Sequence, residues 1–480
     1  MFRGGNLQYE VAERARGFAY GGLGAIQRLV RQVGLAEAID QDLHLLKRHQ
    51  PYHESDHVLN IVYNTLCGGQ CLQDLERLRH DEVYLDALGT ARIPDPTTAG
   101  DFCRRFQEGD VLTLMETINR LRVPLWQSQP PAFLDQAILD ADGVIAETTG
   151  ACKEGMDIAY NGRWGYHVLV LSLANTGEPL YLVNRPGNCV SSQSAAQYFD
   201  RALDLCFSAG FRTVLLRGDT DFSQTAELDR WASWPGVQFV FGIDAMPKLV
   251  EIAQGLAQDL WQPLPRPAKY EVRTEPRRRP ENVKAQIVKK RQYKNVRLVA
   301  EHVAEFDYRP TKCAQHYRIV ALRKRLSIER GEEVLGEEIR YFFYITNDRT
   351  RTRAEVVQEA NGRCNQENLL AQLQHGVRAL RMPSNTLVSN WAYMVMVALA
   401  WTLKAWWALQ LPTQGRWAPR HAQEKETLLR MEFKQFRQAL VELPCQIVKT
   451  GRRIVYRLLA WNPWLPVFFR LWRVLHAGPG

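Results

Sequence analysis

The chain has no cysteine pair at metal-ligating or redox spacing. Its nine cysteines, at 67, 71, 103, 152, 189, 206, 313, 364 and 445, contain no Cys-x-x-Cys, and an odd, scattered set argues against a disulfide framework. Reduced thiols of a cytoplasmic protein account for them. Cys67 and Cys71 share an expected helix, but His57 and His80 do not complete a zinc spacing with them, so core thiols are the expectation. An apolar stretch of signal-peptide length is missing from MFRGGNLQYEVAERARG, and export is not indicated. Long hydrophobic runs are missing as well. The most apolar segment, WAYMVMVALAW at 391–401, is too short to span a bilayer, and the uncharged stretch between Arg381 and Lys404 includes Ser384, Asn385, Ser389 and Asn390. A buried helix is expected there, and no membrane partner. Internal repeats and low-complexity tracts are absent.

What is present is ordinary globular composition, 46% apolar and 10% aromatic, in a length that allows two or three full domains. Charge is uneven. Residues 266–297 hold twelve Lys and Arg against three Glu, a surplus of nine that equals the formal net charge of +9. Arg277, Arg278, Arg279, Lys289, Lys290 and Arg291 are its densest part. Localised positive charge of this kind is the footprint of a polyanion partner such as nucleic acid, although a charge run is more often a solvated face.

Periodicity divides the chain. Residues 1–130 read as helices with Gly and Pro breaks: IQRLVRQVGLAEAI, DHVLNIVYNTLCGG and DVLTLMETINRLRVPL carry apolar positions at helical spacing. In IPDPTTAGDFCRRF, Thr97 or Thr98 is positioned to cap a helix after Pro96, which leaves a helix-turn-helix DNA reader and a plain helical packing region both open. From 131 to 245 the order is β-β-β-α-β-α-β. Turn residues at Asn161-Gly162 and Asn175-Thr176-Gly177 make antiparallel hairpins of the first three strands, and the later strands require helical crossovers. A mixed sheet flanked by helices follows, in an order that resembles the ribonuclease H-like fold. Residues 246–346 alternate again as a β-rich basic insertion. Helix returns over 347–382, and 383–480 reads as a C-terminal helical region whose tail mixes Arg452, Arg453, Arg470 and Arg473 with Trp461, Trp464 and Trp472, a composition suited to protein contacts.

Three distant acids end elements of this core. Asp142 in LDADGVIAETTG and Asp219 in VLLRGDTDFSQ follow β-branched runs, while Glu367 in NGRCNQENLLAQL falls in a helix. Asp140 and Asp221 are the rivals of the first two, each two residues away and on the same side of an extended strand. Converging carboxylates suit hard divalent cations, and a pair of ions ~3.5–4 Å apart activates an attacking oxygen while stabilising a leaving one. The chemistry that this pattern points to is phosphodiester cleavage or transfer. Arg363, one turn before Glu367, either pairs with that Glu or binds a phosphate, and the phosphate role is the preferred one.

With those acids placed, the chain resembles the DDE transposases of bacterial insertion sequences, in the cut-and-paste branch whose ribonuclease H-like core is interrupted by a β-strand insertion. The resemblance runs through DHVLNIVYNTLCGGQCLQDLERLR, IPDPTTAGDFCRRF, NGRWGYHVLVLSLANTGEPLYLVNRPGN, LLRGDTDFSQTAELDRW, FVFGIDAMP and YFFYITND. It implies Asp142, Asp219 and Glu367 as catalytic metal ligands for two Mg²⁺ ions, with Mn²⁺ the alternative. It also implies terminal inverted repeats and target DNA as partners, a homodimer in a synaptic complex, and a bacterial, nucleoid-associated location. Strand cleavage and 3′-hydroxyl transfer are the implied reactions. A hairpin intermediate with a flipped nucleotide is implied too, for which Trp261, Tyr270 and Tyr293 are the available rings. One departure stands out. The related pattern of Tyr, Arg, Glu and Lys is occupied here by Ala360, Arg363, Glu367 and Gln374, so the phosphate contact made by that Lys and Tyr is lost or comes from elsewhere, with His375 or Arg378 as candidates. A metal-dependent nuclease on the same fold, and a DNA-binding protein whose acids no longer hold metal, are the alternatives.

Overall fold

The computed structural model describes residues 16–49, 51–266, 283–292, 294–330, 333–450, 453–459 and 461–477. Glycine and proline breaks cut the first part into a short strand β1 (Arg16–Phe18) and helices α1 (Leu23–Gln32), α2 (Leu35–Asp42), α3 (Glu54–Leu66), α4 (Leu75–Arg79), α5 (Glu82–Leu88), α6 (Pro96–Cys103) and α7 (Glu108–Gln127). At α6 the cap is Asp95, not a threonine: its Oδ1 accepts from the backbone N–H of Thr97 at 2.9 Å and of Thr98 at 3.0 Å, and Pro96 takes the first helical position, where a missing N–H costs nothing.

The core follows as β2 (Gln136–Glu147), β3 (Asp157–Ile158), β4 (Trp164–Leu173), β5 (Glu178–Val183), α8 (Ala195–Ala209), β6 (Thr213–Gly218), α9 (Leu228–Ser233) and β7 (Val237–Ile243). The insertion contributes α10 (Pro247–Gly255), β8 (Gln262–Pro263), α11 (Val283–Lys290), β9 (Lys294–Tyr308), β10 (Tyr317–Arg330) and β11 (Glu333–Thr346). All of these strands form one mixed sheet in the order β3-β4-β2-β6-β7-β11-β10-β9-β8, with β5 against β4. Strands β2, β6 and β7 are parallel and joined through α8 and α9, whereas β4 and β11 flank them antiparallel. The insertion is therefore not a separate sheet: β11 pairs with β7 over Phe343–Thr346 and carries its partners into the core sheet.

Helices α12 (Arg353–Gly362) and α13 (Cys364–Ala371) follow, then a π-helical turn (Gln372–Gly376), α14 (Leu387–Leu409), α15 (Ala418–Arg430) and α16 (Phe433–Phe436). Helix α14 is long and apolar enough to cross a membrane, but its apolar window is wholly buried in protein. It packs on α3, α7, α15 and β5. Buried Glu178 of β5 fixes this junction, accepting from Trp406 Nε1 of α14 at 2.9 Å and from Trp126 Nε1 of α7 at 3.1 Å. An unpaired carboxylate there would be costly, and these donors satisfy it.

The C-terminal part is not purely helical as the sequence suggests. Strands β12 (Cys445–Thr450) and β13 (Arg453–Leu458) form a hairpin before α17 (Leu465–Ala477), and β12 pairs with β1 through Arg16↔Ile447 to Phe18↔Cys445. The alternation of basic and apolar residues in GRRIVYRLL is strand periodicity, easily taken for an amphipathic helix in so short a run.

Candidate active site

The alternating run AILDADG makes β2 a strand whose even-numbered residues share one face, so Asp140 and Asp142 point the same way. The structure gives them different surroundings. Parallel β6 runs alongside β2 only as far as the Asp140↔Arg217 pair. Asp140 is buried there, and Arg217 grips it with Nε on Oδ1 at 2.7 Å and Nη2 on Oδ2 at 2.8 Å. The remaining Nη1 of Arg217 donates to the backbone oxygen of Glu359 on α12 at 3.1 Å. Asp140 is thus consumed in a bidentate buried pair that ties α12 to the sheet, the arrangement in which removing one partner is most costly.

One step further along β2, beyond the end of β6, Asp142 faces a second guanidinium. Arg363, at the break between α12 and α13, sets Nη1 3.3 Å from Asp142 Oδ2 and 3.8 Å from Asp219 Oδ2. Asp219 stands directly after β6, where its Oδ1 accepts from the backbone N–H of Asp221 at 3.0 Å. Two aspartates from neighbouring parallel strands therefore share one positive charge at the carboxyl edge of the sheet, the edge where open α/β sheets bind their ligands. Burial outweighs that charge: it pushes the Asp142 carboxyl up to about 6, with Arg363 opposing and Asp219 and Glu367 reinforcing. Asp219 is raised for the same leading reason, with the nearby charges of Asp221 and Asp244 adding to it.

Glu367 lies on α13, one turn beyond Arg363, exposed to solvent. Arg363 turns away from it and toward the aspartates, so the i to i+4 pair that the spacing suggests is not formed. The helix itself is pinned by the preceding residue, Gln366, whose Nε2 donates to Val170 O at 3.2 Å and whose Oε1 accepts from Ser172 Oγ. Among the described residues no three His, Cys, Asp or Glu side chains lie close enough to hold an ion. The donor set nevertheless suits a hard cation in part. Asp142 and Asp219 converge on a positive nitrogen, with Glu367 near enough for its charge to act on Asp142 but not in contact.

Sequence reasoning missed Asp244, an acid at the end of β7 in FVFGIDAMP. Its signal was the same strand-end position that marked Asp219. It also missed His167 of β4, buried and bonded through Nδ1 to Cys189 O at 2.8 Å, so close to β2 that a Cβ on Gly143 would stand 2.6 Å from its Nε2. Trp261 is 6% exposed with Arg323 4.2 Å over its ring, so it is no open platform. Tyr270 and Tyr293 lie outside the described residues, as do Arg277, Arg278 and Arg279 and the side chain of Lys289. Lys290 and Arg291 are exposed on and just after α11.

A mixed sheet that carries two aspartates and an intervening cation where the pairing of its parallel strands ends defines an α/β protein with an acidic edge. The profile of the family described as Transposase DDE domain group 1 matches residues 18–478, and the chain belongs to this family. Among solved structures, the cryo-EM structure of a piggyBac transposase synaptic complex with hairpin DNA is similar over 88% of this chain and 82% of that one, at 11% identity and a TM-score of 0.39. No curated protein sequence matches.

Proposed function

We propose that the protein binds the terminal inverted repeats of an insertion sequence, cleaves the DNA at the element's ends and transfers the freed 3′-hydroxyl strands into target DNA. The observation that carries this reading is the shared grip of Arg363 on Asp142 and Asp219 within a chain of the DDE transposase family. Asp142, Asp219 and Glu367 are the residues that would hold Mg²⁺ or Mn²⁺, and two such ions supply activation of the attacking oxygen and stabilisation of the leaving one. The chain's own groups do the rest. Asp140, Arg217 and Gln366 fix the strand and helix on which the acids ride. Arg363 neutralises the aspartates until a polyanion arrives and is then placed to take a phosphate oxygen as a bidentate donor. Cleavage and joining are one phosphoryl-transfer chemistry with water and then a 3′-hydroxyl as nucleophile. Duplex contacts spread over the basic insertion position the DNA without reading its sequence, and reading falls to the N-terminal helices. A homodimer holds the two ends together.

The test offers a precleaved 3′-hydroxyl end and a target plasmid to the full chain with Mg²⁺. A joined product is expected, lost in Asp142→Asn, Asp219→Asn and Glu367→Gln. Nicking without joining would instead establish a nuclease, and no metal-dependent reaction at all would leave only DNA binding.

A further inference from the structure

Strand β13 ends a three-stranded sheet. In the order β1-β12-β13 it pairs, among the described residues, with β12 alone. Open edges are ordinarily blunted by a bulge, a proline or a covering element, because their free N–H and C=O groups are a template for another chain. Strand β13 has neither proline nor bulge: its register with β12 runs unbroken from Thr450↔Arg453 to Cys445↔Leu458.

A groove of about 450 Å³ lies between this strand and α1, the end of α5 and α17. Ile454, Val455 and Tyr456 all line it, although successive residues of a strand face opposite sides, so the groove follows the edge itself. Buried Leu88 and Phe468 form its floor. Ile454, Val455 and Phe469 remain 45%, 43% and 44% exposed, a concentration of apolar surface that the fold leaves open. The charge around it is of one sign. Arg28 and Arg31 of α1 line one wall, Arg453 and Arg457 stand exposed on β13, and none of the four has a carboxylate partner among the described residues. The acid in the lining, Asp86, is held by Arg16 at 2.8 Å.

These features restrict the occupant. A second copy of β13 fits poorly: antiparallel pairing of the strand with itself about Val455 sets Arg453 opposite Arg457, and like charges directly opposed destabilise a sheet. A nucleic acid backbone matches the arginines but offers no ladder of amide groups to the free strand edge. An extended protein segment does both when carboxylates alternate with apolar side chains. Residues on one of its faces then oppose Arg453 and Arg457, and those on the other enter the groove beside Tyr456. We propose that β13 takes up such an acidic strand from another protein as the fourth strand of its sheet. Main-chain hydrogen bonds along the edge supply affinity, while the groove and the arginines supply specificity. None of Asp142, Asp219 or Glu367 lines this surface, so it is a point of attachment for a partner other than DNA.

The experiment pans a library of displayed peptides of about ten residues, the upper length of an ordinary strand, on the immobilised full-length chain and on its Arg453→Glu/Arg457→Glu variant. Peptides that alternate acidic and apolar residues are expected to be enriched on wild type. A synthetic peptide of the enriched sequence binds wild type about 10-fold more tightly than the double variant. The same peptide with lysine for each acid reverses that order, which also shows that the variant is folded. N-methylation at alternate positions then reports the binding mode: methyl groups on residues of one parity abolish binding and those on the other leave it unchanged, because an added strand bonds through one edge only. Selection of basic peptides, equal enrichment on both proteins, binding that tolerates both methylated sets, or no enriched sequence at all overturns the assignment.

Discussion

At the residue scale, the pairing of acids with guanidinium groups separates the two aspartates of β2. Asp140 and Asp142 are indistinguishable by strand parity, and only the third dimension separates them: one is closed off by Arg217, the other stands beyond the end of β6. The raised Asp142 carboxyl has a consequence for stability. The native state holds its proton more tightly than the unfolded chain does, so this contribution is complete below the ordinary value of 3.8 and is lost as pH rises through about 6. Asp142→Asn is therefore expected to stabilise the fold at pH 8 by roughly 2 kcal/mol while abolishing activity, and to be neutral near pH 3.5, as read by urea denaturation. Arg363→Ala removes the cation that the two aspartates share. Ca²⁺ should then raise the melting temperature of this variant more than that of wild type, because repulsion between the aspartates is relieved only by the ion. Equal shifts would mean that Asp142 and Asp219 do not bind it together.

At the scale of elements, much was legible. The alternating runs gave the long strands of the core in order, and Asn175-Thr176-Gly177 marked the β4–β5 hairpin, because period and turn chemistry are local properties; the two-residue β3 went unread, and Asn161-Gly162 turns between it and β4 instead of between β2 and β4. Asp219 was legible as a strand-end acid for the same reason, whereas Asp142, expected at a strand end, lies in the middle of β2, where only the pairing with β6 has ended. The orientation of Arg363 was not, since it depends on a break between α12 and α13 that puts its side chain over the sheet instead of over its own helix. The β12–β13 hairpin was hidden because so short an alternation is easily taken for an amphipathic helix, and the strand that supports it, β1, lies more than four hundred residues earlier. Close strand approach also escaped notice. A Cβ on Gly165 would stand 2.3 Å from the backbone oxygen of Ala146, at the end of β2. Gly165→Ala should force β4 from β2 and cost roughly 2–4 kcal/mol, with faster proteolysis between 147 and 164 as the local readout.

At the scale of the molecule, the sheet is continuous from β3 to β8; a large hydrophobic core runs from Phe18 through Trp126, Ile319 and Trp406 to Leu475, and a smaller one gathers Leu215, Val240, Val320 and Val356. Charge is the one global property that composition did disclose, through the cluster at 266–297. Replacing Arg277, Arg278 and Arg279 with Ala should weaken DNA binding alike for every sequence and lower the slope of log affinity against log salt by about 2 to 3, provided that each arginine neutralises one phosphate. A loss confined to one DNA sequence would mean that these arginines read bases.

The pairing of β1 with β12 ties the order of synthesis to the order of assembly. Because Phe18 finds its strand partner only at Cys445, the first strand waits on the ribosome until nearly the whole chain has emerged. A premature stop before Cys445 would leave that strand without its neighbour, so truncated products should be cleared by proteases instead of accumulating as partial copies.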